Sequence, residues 1–201
     1  MRQIQINLYR FDELSESAQR RAWEKHSQPW DYFDDREYRE TLKAFECAFD
    51  VDVYRWCVDA DGFNFAFAHD QLAPEGEWLR FARWVSNRYG DYTTHPRYYS
   101  KVILKEGEYP RYISRYSRAT RVKGADFTGF YADEVITDPV WNCIHYTDAF
   151  FNYDQLLESC LTAFFECWRD DMEYHASLEH FAEMAEANDW EFTKYGEMWE
   201  G

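Results

Sequence analysis

Carboxylates at helical spacing are the side chains of this sequence most able to take part in chemistry. Seven carboxylates from residues 158–191 are the candidate site residues, and several of them recur three or four residues apart, which places them on one face of a helix. They are Glu166, Asp170, Asp171, Glu173, Glu179, Glu183 and Glu186. Such a row can imitate the phosphates of a nucleic acid and occupy a basic channel in a partner, because Lys- and Arg-lined grooves bind polyanions through a strong electrostatic interaction.

The negative charge of the chain is concentrated at one end. The 201 residues carry 38 Asp and Glu against 22 Lys and Arg, a net charge of −16. Residues 131–201 hold 17 acidic and two basic residues, a net charge of −15. Like charges at these spacings cost a helix about 0.2–0.5 kcal/mol per pair, and mixed charges also keep a protein soluble. On charge alone, a solvated acidic face is the simpler interpretation and phosphate mimicry is the functional one.

A basic stretch rich in tyrosine occupies residues 97–123, where eight Lys and Arg face two acidic residues. A possible basic patch consists of Arg111, Arg115, Arg118 and Arg121. Arginine interleaved with aromatic residues can grip phosphates and stack on bases. The alternative, which the net charge of −15 over residues 131–201 favours, is pairing with the acidic helices of the same or a neighbouring chain. A homodimer is left open by this pattern.

The sequence contains no pattern that predicts a catalytic residue, a metal site or a cofactor. The segment 59–62 resembles a calcium loop but lacks its register and its closing Glu, so it predicts a hairpin turn. His175 and His180 are five residues apart, an awkward step for one metal ion on a helix. No nucleophile elbow, phosphate-binding loop or dinucleotide fingerprint occurs. A non-enzymatic protein is expected, with an unrecognised enzyme as the alternative.

Aromatic residues must supply much of the core. Phe, Tyr and Trp total 41, against 24 Leu, Ile and Val, and each aromatic side chain can bury roughly 150–250 Å². The sequence predicts an α+β fold, helix-dominated, as a single domain over 1–201 with a small antiparallel sheet. Within it we distinguish a part with strand, helices and hairpin (1–90), the basic middle (91–132) and an acidic helical part (133–201).

Apolar stripes predict six helices. Ser15 should cap the first, which ends near His26, and Pro29 suits the first turn of the second. The second carries an apolar stripe of Tyr38, Leu42, Phe45 and Phe49. Further helices are predicted from about 74 to 89, from 133 with a break at Asp138-Pro139, over 153–173 and over 177–188.

Alternating residues predict the strands. Residues 3–8 alternate polar and apolar, and so do residues 51–58 and 63–67, which the turn 59–62 joins into a hairpin. In the hairpin, Asp52, Tyr54, Trp56 and Val58 are expected to face one way. Trp190 and Phe192, followed by a turn at Gly196, predict a short terminal strand or hairpin. Trp190 and Trp199 are expected in the core, with apolar anchoring of a partner as the alternative.

Cysteine spacing and the N-terminus indicate a cytoplasmic protein. The cysteines at 47, 57, 143, 160 and 167 show no CxxC spacing, so buried free thiols in a reducing compartment are expected, with disulfide or metal use as the alternative. The first ten residues lack the apolar stretch of a signal peptide. No window has the 18 apolar residues that would span a bilayer.

Both ends of the chain resemble a family of roughly 200-residue proteins encoded by phages and prophages. The resemblance rests on Leu8–Ala22, which contains F-D-E-L-S-x-x-A, on Trp168–Tyr174, and on Glu186–Phe192 with the turn at Gly196. Members of that family are loosely labelled as antitoxins of toxin–antitoxin stability systems. The family offers no catalytic residues to carry over.

The phage setting that this resemblance implies favours inhibitors of host defence, including anti-CRISPR and anti-restriction proteins. The leading hypothesis is a non-enzymatic inhibitor that presents the acidic residues to the basic channel of a host nucleic-acid-handling complex in the cytosol. One alternative is an antitoxin-like protein that binds and neutralises a toxin. Another is a nucleic-acid-binding protein that uses residues 97–123.

Overall fold

Helices dominate the computed structural model, which describes residues 7–27, 33–59, 61–74, 78–90, 127–145 and 152–199. The described helices are α1 (Glu16–His26), α2 (Arg36–Phe49), α3 (Trp78–Tyr89), α4 (Ala132–His145), α5 (Tyr153–His175) and α6 (Leu178–Ala187), with a short 3-10 helix at Phe11–Glu13. Strands β1 (Asp52–Asp59) and β2 (Gly62–Ala68) form an antiparallel sheet. The predicted helix-dominated α+β class is confirmed.

Residues 3–6 of the predicted first strand lie outside the described residues, as do Pro29 and the basic stretch 97–123 with Arg111, Arg115, Arg118 and Arg121. The chain divides into two compact units. The first unit comprises Met1–Asp34 and Trp168–Gly201, and the second comprises Asp35–Cys167. The expected single domain with three parts stays a prediction.

Aromatic side chains form the core of the second unit. The predicted stripe of α2 is buried at all four positions. Phe45 stacks on Phe49 with ring centroids 4.4 Å apart, and Phe49 stacks on Tyr89 at the same distance. Tyr89 lies parallel to Tyr153, and their hydroxyl oxygens are 2.7 Å apart. Aromatic stacking therefore joins α2, α3 and α5.

The hairpin pairs Trp56 with Phe65 and Val58 with Phe63, and its register shifts between Asp52 and Arg55. The shift changes which face is covered: Val53 is buried, Tyr54 is 64% exposed, and Trp56 is half-buried. The predicted common face for the even-numbered residues therefore does not extend to Tyr54, because an irregular register re-aims the side chains on one side of it.

Asp59 closes the hairpin turn. Its Oδ1 accepts hydrogen bonds from the backbone N–H groups of Asp61, at 3.0 Å, and Gly62, at 3.1 Å. Gly62 has φ of +149°, a conformation that residues with a Cβ rarely adopt. The segment 59–62 is thus the hairpin turn that the sequence predicts.

A buried carboxylate organises the entry to α4. Asp133 is 1% exposed, and its Oδ2 accepts hydrogen bonds from the backbone N–H groups of Thr128 and Gly129, each at 2.9 Å. Thr41 of α2 donates its hydroxyl to Oδ1 of Asp133 at 2.8 Å. This carboxylate is well supplied with donors, which is what burial of a charged group requires.

Two helix boundaries differ from the sequence predictions. Helix α4 continues through Pro139 instead of breaking there; its buried stripe of Ile136, Val140 and Cys143 is stabilised by packing, which offsets the hydrogen bond that proline removes. Helix α2 begins at Arg36, after the non-helical residues 33–35, and not near Pro29.

The cysteines are free thiols, but burial holds for only some of them. Cys143 and Cys160 are buried, whereas Cys47 and Cys57 are exposed and Cys167 is half-buried. The prediction of buried thiols is therefore wrong for Cys47 and Cys57, which lie on the solvent faces of an amphipathic helix and of a two-stranded sheet. Burial raises the pKa of the Cys143 thiol to about 12.

Within the described part of the chain, none of the helices is both long and apolar enough to cross a bilayer.

Candidate functional site

The first unit is built around a cluster of small and aromatic side chains. Its buried members are Phe11, Leu14, Ala18, Ala22, Phe181, Ala185 and Phe192. The ring of Phe11 contacts that of Phe181 edge-on at 5.3 Å and that of Phe192 at 5.7 Å. Phe192 forms isolated bridges with both Tyr9 and Met198, so the predicted terminal strand is present in minimal form.

The C-terminal turn packs closely on α1. Gly196 has φ of +87°, and a Cβ at this position would overlap the carbonyl oxygen of Ala18. Lys25 of α1 forms an ion pair with Glu197, and this contact lowers the pKa of Glu197. The glycine therefore permits a close approach that no other residue would allow.

Helix α6 presents an acidic face because its other face is buried. Ser177 caps the helix by accepting a hydrogen bond from the backbone N–H of His180 at 3.1 Å. Phe181 and Ala185, one turn apart, are 5% and 2% exposed and lie in the core cluster. Glu179, Glu183 and Glu186 recur at i, i+4 and i+7 on the opposite side, and all three are exposed.

A cleft of about 290 Å³ lies along this face of α6. Its lining contains five carboxylates, from Asp12, Glu179, Glu183, Glu186 and Asp189, and one cation, Arg10. We call it the acidic cleft. Since the formal charge of the lining is −4, it favours a cationic occupant.

Arg10 neutralises little of this charge. Its guanidinium lies 3.5 Å from Oδ1 of Asp189, but the two side chains are 71% and 83% exposed. Ion pairs this exposed typically contribute about 0–1 kcal/mol. Arg10 can therefore be displaced from Asp189 by a competing cation at small cost.

Aromatic and small apolar side chains complete the wall of the acidic cleft. Phe11, Ala182, Ala185 and Trp190 line it beside the carboxylates. Trp190 is half-buried and packs on Phe181 with ring centroids 5.7 Å apart. A tryptophan face next to carboxylates suits an arginine or lysine side chain, which gains from both the indole and the charge.

Asp189 and Trp190 reach the cleft through the turn that ends α6. Asp189 adopts the left-handed conformation with φ of +51°, which Asp tolerates better than most residues. The backbone N–H of Trp190 then donates to the carbonyl of Ala185 at 2.9 Å. This closed turn places the last acid of the cleft and its aromatic neighbour together.

Tyr174 orients one of the cleft carboxylates. Its hydroxyl donates a hydrogen bond to Oε2 of Glu183 at 2.6 Å, and this bond raises the pKa of Tyr174. Because Tyr174 belongs to α5 and Glu183 to α6, the bond also joins the two helices. Glu183 is therefore held in place by a residue of another helix.

A histidine pair lies at the junction of α5 and α6. The rings of His175 and His180 have centroids 4.2 Å apart, and the ring of Phe33 lies edge-on to His175 at 5.4 Å. Partial burial, and then the neighbouring His180, lower the pKa of His175, against an opposing effect of Asp171. The two histidines are on different helices, so the sequence argument based on one continuous helix does not describe their arrangement.

The structure brings together three of the seven predicted site residues. Glu179, Glu183 and Glu186 line the acidic cleft, whereas the four on α5 do not. Three of those four are exposed, namely Glu166, Asp170 and Glu173, and Asp171 is half-buried. The carboxylate of Asp170 lies 2.6 Å from the guanidinium of Arg169. Glu166 belongs to the second unit and the other six belong to the first.

Sequence reasoning missed Asp12, Asp189 and Arg10. Asp12 and Arg10 lie more than 160 residues before α6, and the packing of Phe11 on Phe181 and Phe192 brings them to the cleft. The backbone N–H of Arg10 donates a hydrogen bond to Oε2 of Glu13 at 2.8 Å, which helps to fix the conformation of residues 10–13. Trp199 is 44% exposed, so its predicted core burial is wrong. Met198 packs against the core cluster, and the next side chain along an extended segment points to the opposite side.

The described residues contain no group of three or more His, Cys, Asp or Glu side chains that could hold a metal ion. Comparison of the chain with protein-family models, with curated proteins and with solved structures found no match.

Proposed function

We propose that this chain is a non-enzymatic binding protein whose acidic cleft receives cationic side chains from the nucleic-acid channel of a partner. The observation that carries the proposal is the convergence of five carboxylates, from two segments that are distant in sequence, on one aromatic-walled cleft. If the acidic face of α6 were only a solvated surface, there would be no reason for Asp12 and Asp189 to lie beside it.

The arrangement costs stability, which supports a role in binding. Glu179 and Glu183 are a like-charge pair at i,i+4, and Glu183 and Glu186 are one at i,i+3. Each pair destabilises an exposed helix by about 0.2–0.5 kcal/mol. Glu186 and Asp189 also place negative charge at the C-terminal end of α6, where the helix dipole disfavours it.

The setting we propose is the cytosol of a host cell, where the chain inhibits a nucleic-acid-handling defence complex of the CRISPR–Cas or restriction type. The support is the phage-family resemblance of the two chain ends together with the cleft chemistry. A channel that holds nucleic acid presents rows of Lys and Arg, and a cleft with a formal charge of −4 complements such a surface. Electrostatic complementarity of this kind also accelerates encounter with the partner.

The experiment is a comparative pulldown from host lysate with three tagged full-length proteins. The first is the native chain and the second carries E179K, E183K and E186K. The third is a control of equal charge change, with E24K, E37K and E40K on exposed positions of α1 and α2. Samples are treated with nuclease and eluted with increasing salt, and bound proteins are identified by mass spectrometry.

We expect the native and control proteins to capture a nucleic-acid-handling partner and the cleft variant to capture none. Nuclease should not prevent this capture, and increasing salt should release the partner. Equal capture of that partner by the cleft variant would contradict it. The cleft variant exchanges negative like-charge pairs on α6 for positive ones at the same spacing, and circular dichroism confirms that all three proteins fold.

An antitoxin-like protein is the second candidate, and exposed apolar side chains of the first unit favour it. Tyr174, Leu178, Met184 and Trp199 are between 38% and 44% exposed. Apolar contacts of this kind would produce binding that resists salt. Capture of one small protein at high salt, with rescue of growth when that protein is expressed as a toxin, would establish this function instead.

A further inference from the structure

A second groove lies in the second unit, between residues 72–74 and helix α3, and has a volume of about 500 Å³. Helix α3 contributes Arg80, Arg83, Trp84 and Asn87 to it. The helix buries Phe81, Ala82, Val85 and Tyr89, so Arg80, Arg83 and Asn87, at i, i+3 and i+7, share the opposite face. We call this the arginine groove.

The arginine groove is positively charged in a strongly acidic chain. Helix α3 contains three arginines and no acidic residue. Arg80 and Arg83 are exposed, and neither forms an ion pair with a described residue. Arg88, by contrast, donates its Nε–H to the hydroxyl of Tyr89 at 3.1 Å. Two adjacent guanidinium groups are thus available for carboxylates or phosphates, to which arginine binds through paired hydrogen bonds.

The other wall of the arginine groove is apolar. Leu72 is 96% exposed, and Ala73 and Pro74 follow it along the same wall. A single exposed leucine needs no explanation, but here it lines the same groove as two arginines that form no ion pair with a described residue. A partner that satisfies both walls must carry acidic and apolar side chains together.

The surroundings of Trp84 argue against a nucleic acid in this groove. Phe81 stacks on the indole at 6.0 Å, with 19° between the planes, and the guanidinium carbon of Arg88 lies 5.8 Å from its centroid. Tyr89 and Tyr153 contact the indole edge-on. The aromatic platform on which single-stranded nucleic acids stack their bases is therefore already occupied by protein groups.

We propose that the arginine groove binds a polypeptide segment of a partner protein in which acidic residues flank an apolar one. The carboxylates pair with Arg80 and Arg83, and the apolar side chain packs against Leu72. Asn87 is placed to bond the backbone of the bound segment. The arginine groove shares no residue with the acidic cleft. Either proposal can therefore be wrong without affecting the other.

The test measures fluorescence anisotropy of three labelled probes with the full-length chain at low salt: a peptide of alternating Glu and Leu, a peptide of alternating Lys and Leu, and oligothymidine. The variants are R80Q/R83Q and L72S. The matched control is R111Q/R115Q, which removes the same charge from the basic stretch. Circular dichroism spectra and thermal melting verify that every variant folds.

The Glu–Leu peptide should bind the native chain and the control with equal affinity. Its affinity for R80Q/R83Q and for L72S should be lower by about tenfold or more. The Lys–Leu peptide should not compete with it. Absence of binding to the Glu–Leu peptide, or equal affinity in R80Q/R83Q, overturns the proposal. Oligothymidine binding that depends on Arg80 and Arg83 overturns it as well, in favour of a nucleic-acid site.

Discussion

The hydroxyl of Tyr174 and the carboxylate of Glu183 are 2.6 Å apart, and this hydrogen bond joins the end of α5 to the acidic face of α6. It restricts a side chain that would otherwise sample several rotamers on an exposed helix. A glutamate held in this way loses less conformational entropy when a cationic partner binds. The pair therefore links the packing of the first unit to the chemistry of the acidic cleft.

The pKa of Tyr174 should lie above the ordinary value of 10, because the phenol donates to a carboxylate that would repel its ionised form. The stability that this bond contributes is present at neutral pH and is lost as the pH rises through the raised pKa. NMR titration of ¹³Cζ-labelled tyrosine measures it. In E183Q the same signal should titrate closer to 10; an unchanged titration would show that Glu183 is not the cause.

His175 should titrate below the ordinary value of 6.5, mainly because of partial burial and then because of His180. Since the folded state binds this proton less readily than the unfolded chain, the contribution of His175 to stability falls as the pH drops below about 6.5. Histidine NMR titration tests both statements. H180N should raise the pKa of His175 without restoring 6.5, because burial remains; full restoration would contradict the ranking of the two causes.

G196A should destabilise the protein by about 2–4 kcal/mol, because a Cβ would overlap the carbonyl of Ala18 and the backbone is left-handed. G129A is the matched control: Gly129 has φ of +85° but open space around it, so only the backbone cost of about 1 kcal/mol applies. Urea unfolding at equilibrium compares the two. Equal losses would mean that the close approach to α1 contributes nothing.

D133A should destabilise the second unit by about 2–4 kcal/mol, since it leaves the N–H groups of Thr128 and Gly129 without their acceptor. The exposed Asp70 provides a control, and D70A should change stability by less than about 0.5 kcal/mol. Thermal unfolding, followed by circular dichroism, gives both values. A D133A protein as stable as D70A would show that water replaces the lost carboxylate.

Helical periodicity was sufficient to predict much of the fold. The stripe Tyr38, Leu42, Phe45 and Phe49 predicted a buried face that the structure confirms, and the Phe alternation at 63–67 predicted the hairpin. Both signals are local, because each element must bury one face. Local rules failed at Pro139, where tertiary packing keeps α4 continuous, and at Arg36, where α2 begins later than Pro29 suggested.

The candidate site was predictable only in part. The spacing of Glu179, Glu183 and Glu186 placed them on one face, and that much needs no tertiary structure. Asp12 joins them because Phe11 packs on Phe181, a contact between residues 170 apart that single-sequence patterns do not reveal. The exposure of Trp199 and Cys47 could not be predicted. It depends on which other elements pack over a residue, and neither composition nor spacing determines that.

Competition with DNA tests the central claim most directly. The partner recovered by the native chain is titrated with a labelled double-stranded DNA in the presence of the native chain, the E179K/E183K/E186K variant or the E24K/E37K/E40K control. Mimicry predicts that the native and control proteins displace the DNA completely and that the cleft variant needs about 10- to 100-fold higher concentration. Native chain and DNA bound to the partner at the same time, or displacement unchanged in the cleft variant, would contradict the proposal that the acidic cleft substitutes for nucleic acid.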